Sequence, residues 1–216
     1  MTCFPLITLQ SDRVYKDCFA FIGMRQSGKT NFLLWLLSQN HAKYTVFDTI
    51  GSIKKAMQTG WRPLHPQTQR IVTPNGWGDI LPCFTKTARE IWAQGNTQFI
   101  IDDISVRREI NGKLKPYLCD KFWMHADLAK IMNQGGNRNI SLWLTSQRVA
   151  QVHNDLLSNC HHHFIFKLYL PQDIDWYSNV VPRTLVEQSK HLPDFECIYY
   201  RLGQTPQVLK PVKKMS

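Results

Sequence analysis

The stretch Gly23-Met24-Arg25-Gln26-Ser27-Gly28-Lys29-Thr30 sets a glycine, four residues, and then Gly-Lys-Thr in a row. This is the spacing of a phosphate-binding loop, GxxxxGK[ST]. The glycines let the backbone turn so that successive amides face phosphate oxygens, and a helix start just beyond adds its positive dipole. Lys29 is expected to reach the β and γ phosphates, and Thr30 to offer its hydroxyl oxygen to magnesium. The predicted nucleotide contacts are Gly23, Met24, Arg25, Gln26, Ser27, Gly28, Lys29, Thr30 and Asn31, with ATP and Mg2+ as the cofactors.

A bound magnesium needs a second anchor. "QFIIDDIS" supplies it, because an apolar run delivers Asp102 and Asp103 to its C-terminal end, where ligands bind in open α/β sheets. Asp102 reads as the magnesium carboxylate, and Asp103 stands where a carboxylate polarises the attacking water. It is one methylene shorter than the glutamate commoner there, which leaves the identity of the base open. A third stretch, "GGNRNISLWLTSQR", is an apolar run ending in Ser146-Gln147-Arg148. If that strand neighbours the phosphate-loop strand, the Gln147 amide lies near the terminal phosphate, where a glutamine can orient water.

These side chains need a scaffold. Apolar, β-branched runs alternate with helix-like segments, which predicts an α/β fold with a mostly parallel central sheet flanked by helices. The strand candidates are "CFAFIG", "KYTVFDT", "RIVTP", "QFIIDDI", "ISLWLTS", "HFIFKLYL" and "CIYYRL". Their nearly continuous apolarity fits strands covered on both faces. Helices are expected over 28–40, 80–93 and 117–134, the last with Leu118, Phe122, Leu128, Ile131 and Met132 on one face. Residues 61–66 and 105–116 read as loops. The second carries Arg107, Arg108, Lys113 and Lys115, a candidate nucleic-acid contact or an ordinary solvated loop.

At 216 residues one domain is expected, with an N-terminal extension over 1–17, an ATPase core over 18–170, and C-terminal strands and a basic tail over 171–216. That last part either finishes the sheet or forms a docking surface. No apolar run is long enough to span a membrane, and the N-terminus carries no secretory pattern, so a soluble protein acting inside a cell is expected. Six cysteines without a CxxC pair point to reduced thiols rather than a zinc ribbon. "CHHHF" crowds metal-ligand types, but neighbours on a strand face opposite ways. Trp61, Trp77, Trp92, Trp123, Trp143 and Trp176 read as core or interface anchors rather than base-stacking platforms. The net charge of +10 and pI near 9.4 favour a polyanionic partner, nucleic acid first, although part of that charge sits in the tail "KPVKKMS".

The order of these motifs, with a double-acidic "IIDD", Arg138 before the next strand and a strand ending "TSQR", resembles the FtsK–HerA superfamily of DNA-pumping ATPases. The small size resembles the genome-packaging ATPases of double-jelly-roll, internal-membrane viruses. The resemblance runs over about residues 18–169 and implies a RecA-like P-loop NTPase. It makes Lys29, Asp103 and Gln147 catalytic, Thr30 and Asp102 the metal contacts, and Arg138 a finger supplied to a neighbouring subunit, with Arg148 as the alternative. It further implies a homo-oligomeric ring, a hexamer, around double-stranded DNA held without sequence specificity, lined by Arg107, Arg108, Lys113 and Lys115. A capsid or viral membrane protein would be the partner, and the chain would act in the cytoplasm of an infected host cell or with the virion. Other pumps of that superfamily, for conjugation, segregation or filamentous-phage assembly, stay open, as does a nucleoside or nucleotide kinase. A small GTPase is disfavoured, since no NKxD element exists and the DxxG-like "DTIG" lies on the second strand candidate.

Overall fold

Each of the seven apolar runs forms a strand. The computed structural model describes residues 16–210; the first fifteen residues, Cys3 and all of the basic tail but Lys210 lie outside the described residues. The strands are β1 (Phe19–Ile22), β2 (Tyr44–Asp48), β3 (Gln69–Val72), β4 (Thr97–Asp102), β5 (Arg107–Ile110), β6 (Lys113–Pro116), β7 (Ile140–Ser146), β8 (His162–Phe166), β9 (Cys197–Arg201) and β10 (Gln207–Leu209). The helices are α1 (Lys29–Leu37), α2 (Ser52–Gln58), α3 (Ile80–Gln94), α4 (Ala126–Gln134), α5 (Asn154–Ser158), α6 (Pro171–Tyr177) and α7 (Arg183–Gln188).

Eight strands make one sheet in the order β10-β9-β8-β1-β7-β4-β2-β3. From β8 to β3 all neighbours run parallel, whereas β9 and β10 are antiparallel additions at the edge. The C-terminal region therefore finishes the sheet. Along β1, Phe19 and Phe21 enter one apolar cluster with α1, and Ala20 and Ile22 enter the other with α3 and α4. Both faces are covered, which is why these strands read as unbroken apolar runs. His162 and His163 follow the same alternation: His162 lies 2.8 Å from the Tyr199 hydroxyl, and His163 lies 2.9 Å from that of Tyr177.

Two expectations need correction. The helix expected over 117–134 begins only at Ala126, because the Asp120 carboxylate accepts the amides of Phe122 and Trp123, both at 2.9 Å, and turns the chain. Phe122 is consequently 88% exposed, not part of a helical face. The loop expected over 105–116 is a hairpin, β5 paired with β6, turning at Asn111 and Gly112, which both have positive φ. Asn-Gly between strands is the signal of a tight two-residue turn. Of the tryptophans, Trp61 and Trp143 are buried, while Trp77 and Trp123 are exposed.

Trp143 is fully enclosed on β7, with its ring centroid 4.5 Å from that of Phe19 and its Nε1 donating to Ser141 Oγ at 2.9 Å. Trp143→Ala should lower unfolding stability by about 3–5 kcal/mol, as large aromatic truncations in a close-packed core do. Chemical denaturation with unchanged m-value would measure it.

Candidate nucleotide site

The chain leaves β1 into the glycine-rich turn and enters α1, so the turn sits at the C-terminal edge of the sheet. Gly23 is required by close packing, because a Cβ there would stand 2.5 Å from Phe166 Cβ on β8. Gly28, with φ of 102°, takes the left-handed conformation that starts α1. The Gly23 and Met24 amides are spent on Ser146 O and Lys167 O. The first amides of α1 remain as the donors every helix start carries. Lys29 Nζ donates to Gly23 O at 2.6 Å and to Met24 O at 2.7 Å, so its ammonium already lies along the inside of the turn.

Asp102 ends β4 and Asp103 directly follows it, and one hydroxyl ties them together. Thr145 Oγ1 on β7 accepts the Asp103 amide at 2.8 Å and donates to Asp102 Oδ1 at 2.9 Å. Ser52, opening α2, donates to the other Asp102 oxygen. Asp48 holds α2 in register: its carboxylate accepts the amides of Ile53 and Lys54 at 3.2 and 2.8 Å. Asp103 has φ of 58°, tolerated by aspartate better than by most residues. Its two oxygens accept from Ser105 Oγ at 2.7 Å and from Gln147 Nε2 at 2.8 Å.

Strand order explains this meeting. β7 lies between β1 and β4, so Gln147 emerges with the phosphate turn on one side and the aspartates on the other. All face one cleft of about 700 Å³, lined by the turn residues Met24 to Asn31, by Asp102, Asp103, Thr145 and Gln147, and by Ile50, Ser52, Lys167, Asp194 and Phe195.

The lining fits a magnesium nucleotide. Ser27 Oγ is buried with no hydrogen-bond partner on the cleft wall, where a phosphate would satisfy it. Asp102 with Thr30 offers the hard oxygen donors magnesium takes. Burial pushes the Asp102 carboxyl up to about 6, against the hydrogen bonds from Ser52 and Thr145, and burial also raises that of Asp103. A magnesium ion held by Asp102 and Thr30 would favour the ionised forms of both carboxylates.

Burial likewise holds the Lys29 ammonium down to about 8, although the charges of Asp103 and Asp102 pull it up. Its positive charge is complete below that value and is lost as the pH rises through it. Nucleotide affinity is therefore expected to fall above pH of about 8, with proton uptake on binding. Calorimetric titration in buffers of different ionisation enthalpy reads both.

Other candidates stand apart from the cleft. Arg138 precedes β7, at the opposite end of the strands, donating to Ala93 O at 3.1 Å with its guanidinium 5.3 Å from the Trp92 ring centroid. Arg148 forms an ion pair with Asp173 at 3.1 Å and is not among the cleft's lining residues. Arg107, Arg108, Lys113 and Lys115 occupy the β5–β6 hairpin, where Arg107 and Arg108 border a second hollow with Trp77 and Tyr117. Of the cleft residues, sequence reasoning missed Ile50, Ser52, Thr145, Lys167, Asp194 and Phe195. Only Thr145 carried a signal, sitting inside the "TSQR" run; the others reach the cleft through tertiary folding.

No family model matches the chain, and no curated protein matches it in sequence. Solved structures do match. The genome packaging NTPase B204 from Sulfolobus turreted icosahedral virus 2, in complex with AMPPCP, superposes with a TM-score of 0.69 at 16% identity, covering 92% of this chain and 100% of that one. B204, the DNA-packaging ATPase from Sulfolobus turreted icosahedral virus, gives 0.68 at 15% identity over 92% and 98%. The cytoplasmic domain of the Thermomonospora curvata type VII secretion ATPase EccC gives 0.58 at 14% identity, covering 94% of this chain and 27% of that one. Identity at this level speaks to architecture alone: the chain shares the fold of these packaging and secretion ATPases, a mostly parallel sheet flanked by helices.

Proposed function

We propose that the chain is an ATPase that moves double-stranded DNA and that it fills a preformed viral capsid. The observation that carries the ATPase reading is the meeting of Lys29, Asp102, Asp103 and Gln147 around one cleft. The amides opening α1 and the Lys29 ammonium bind the phosphates. Thr30 and Asp102 would hold magnesium, which when bound neutralises phosphate charge. Asp103 draws the proton from the attacking water as its oxygen bonds to the γ-phosphorus and the bond to the ADP oxygen breaks. Gln147 and Ser105 keep the Asp103 oxygens aimed.

Coupling to DNA rests on other features. The Nε atoms of Arg107 and Arg108 are buried without partners, and Lys113 and Lys115 are exposed on the same hairpin. The positive charges of this hairpin suit phosphodiester oxygens, which are held without reading bases. Net charge of +10 favours the same partner. Arg138, remote from its own cleft, suits a finger given to the next subunit of a homo-oligomeric ring, a hexamer by analogy. Structural neighbours named as packaging enzymes favour the viral reading. Its setting would be the host cytoplasm or the virion, with a capsid or viral membrane protein at the packaging vertex.

Steady-state ATP hydrolysis by the purified protein, with and without long double-stranded DNA, tests this. Stimulation by DNA that fades with added salt is the expected result. Hydrolysis indifferent to DNA at low salt would sink the translocase reading while leaving the ATPase standing.

A further inference from the structure

Phe195 is a bulky residue held at φ of 67°, a left-handed conformation that side chains of its kind rarely adopt. The strain brings no core burial, since Phe195 remains 54% exposed. The turn is pinned on both flanks instead. Asp194 pairs with Lys167 at 2.9 Å, just past β8, and Glu196 pairs with Lys210 at 2.9 Å, just past β10. These ties set the ring against the phosphate turn. A Cβ built on Gly28 would meet Phe195 Cδ1 at 3.0 Å and its Cα at 3.3 Å. Phe195, Asp194 and Lys167 line the same cleft as Lys29 and Thr30.

An aromatic side chain kept strained and uncovered beside a phosphate-binding turn has one evident use. We propose that Phe195 is the stacking platform for the nucleobase of the bound nucleoside triphosphate, with purines favoured for their larger face. The inference rests on the nucleotide reading of the cleft and assigns the part of the ligand that the phosphate turn leaves unrecognised. The phosphates are held by helix amides and Lys29, none of which senses a base. A ring at the cleft rim gives the base an apolar plane, and such stacking is sequence-tolerant because every base offers a π-face.

The test measures affinity for magnesium-ATP and for magnesium-tripolyphosphate, which has the phosphates but no base. Phe195→Ala and Phe195→Gly should weaken ATP binding on the order of tenfold and leave tripolyphosphate binding unchanged, and Phe195→Tyr should restore ATP binding. Phe195→Gly, which accepts the positive φ without strain, should also unfold no more easily than the parent chain. ATP affinity unaltered in the alanine and glycine variants overturns the proposal. So does equal weakening of both ligands, which would mean the ring merely shapes the phosphate turn. Lys29→Ala is the control for the cleft itself, expected to weaken both ligands. If the parent chain binds neither, the nucleotide reading fails together with the platform.

Discussion

Arg138→Ala is expected to lower DNA-stimulated ATP hydrolysis by about 10³–10⁵-fold, the range a trans arginine contributes to phosphoryl transfer. Unfolding stability should change by no more than about 1 kcal/mol, because the exposed side chain makes one hydrogen bond, to Ala93 O, and lies over Trp92. The argument is topological. Arg138 stands before β7 and the cleft lies past its end, so the strand's whole length separates the guanidinium from its own phosphate turn. Mixing supplies the decisive readout. Arg138→Ala subunits keep an intact phosphate turn and Lys29→Ala subunits keep the arginine, so combining two inactive proteins should recover part of the activity. Loss without recovery would mean that Arg138 acts inside its own subunit. Full activity in the single variant would pass the role to Arg148, which would first have to leave Asp173.

The second large effect belongs to Asp103. Asp103→Ala should reduce turnover by about 10²–10⁴-fold, the usual worth of a general base, while ATP binding persists, since one negative charge near the γ-phosphate is removed. Gln147→Ala should reduce turnover less, because Ser105 still fixes one carboxylate oxygen at 2.7 Å. Single-turnover quench measurements separate the chemical step from binding. An Asp103→Ala protein that hydrolyses ATP normally would show that another group takes the proton.

The phosphate turn and the aspartate pair were legible because their chemistry is written in consecutive residues. Gly28, Lys29 and Thr30 announce themselves, and so does a carboxylate pair closing an apolar run. The order of the strands was not legible, since nothing in a run such as "ISLWLTS" says which neighbours it takes. Only the structure sets β7 between β1 and β4 and so joins Gln147 to Asp103. Helices α2, α5, α6 and α7 escaped notice because each is too short to display a period. The hairpin at residues 107–116 was missed despite its Asn-Gly turn, because basic residues obscured the strand pattern. Phe195 had no local signal at all, since its meaning comes from Gly28, far away in the chain.

That hairpin leaves the sheet almost at once after the aspartates. Between Asp103 and Arg107 stand only Ile104, Ser105 and Val106, a span of about 13 Å at full extension. Each of the three is fastened: the Ile104 amide to Thr145 O at 2.9 Å, the Ser105 hydroxyl to Asp103 at 2.7 Å, and Val106 O to the Tyr117 amide at 3.3 Å. The connection has the character of a crank rather than a tether. A tether would absorb a small shift at the carboxylate as slack, whereas a stiff arm transmits it to the guanidinium groups at its far end; on the proposed reading, the stroke would be set within one short piece of backbone.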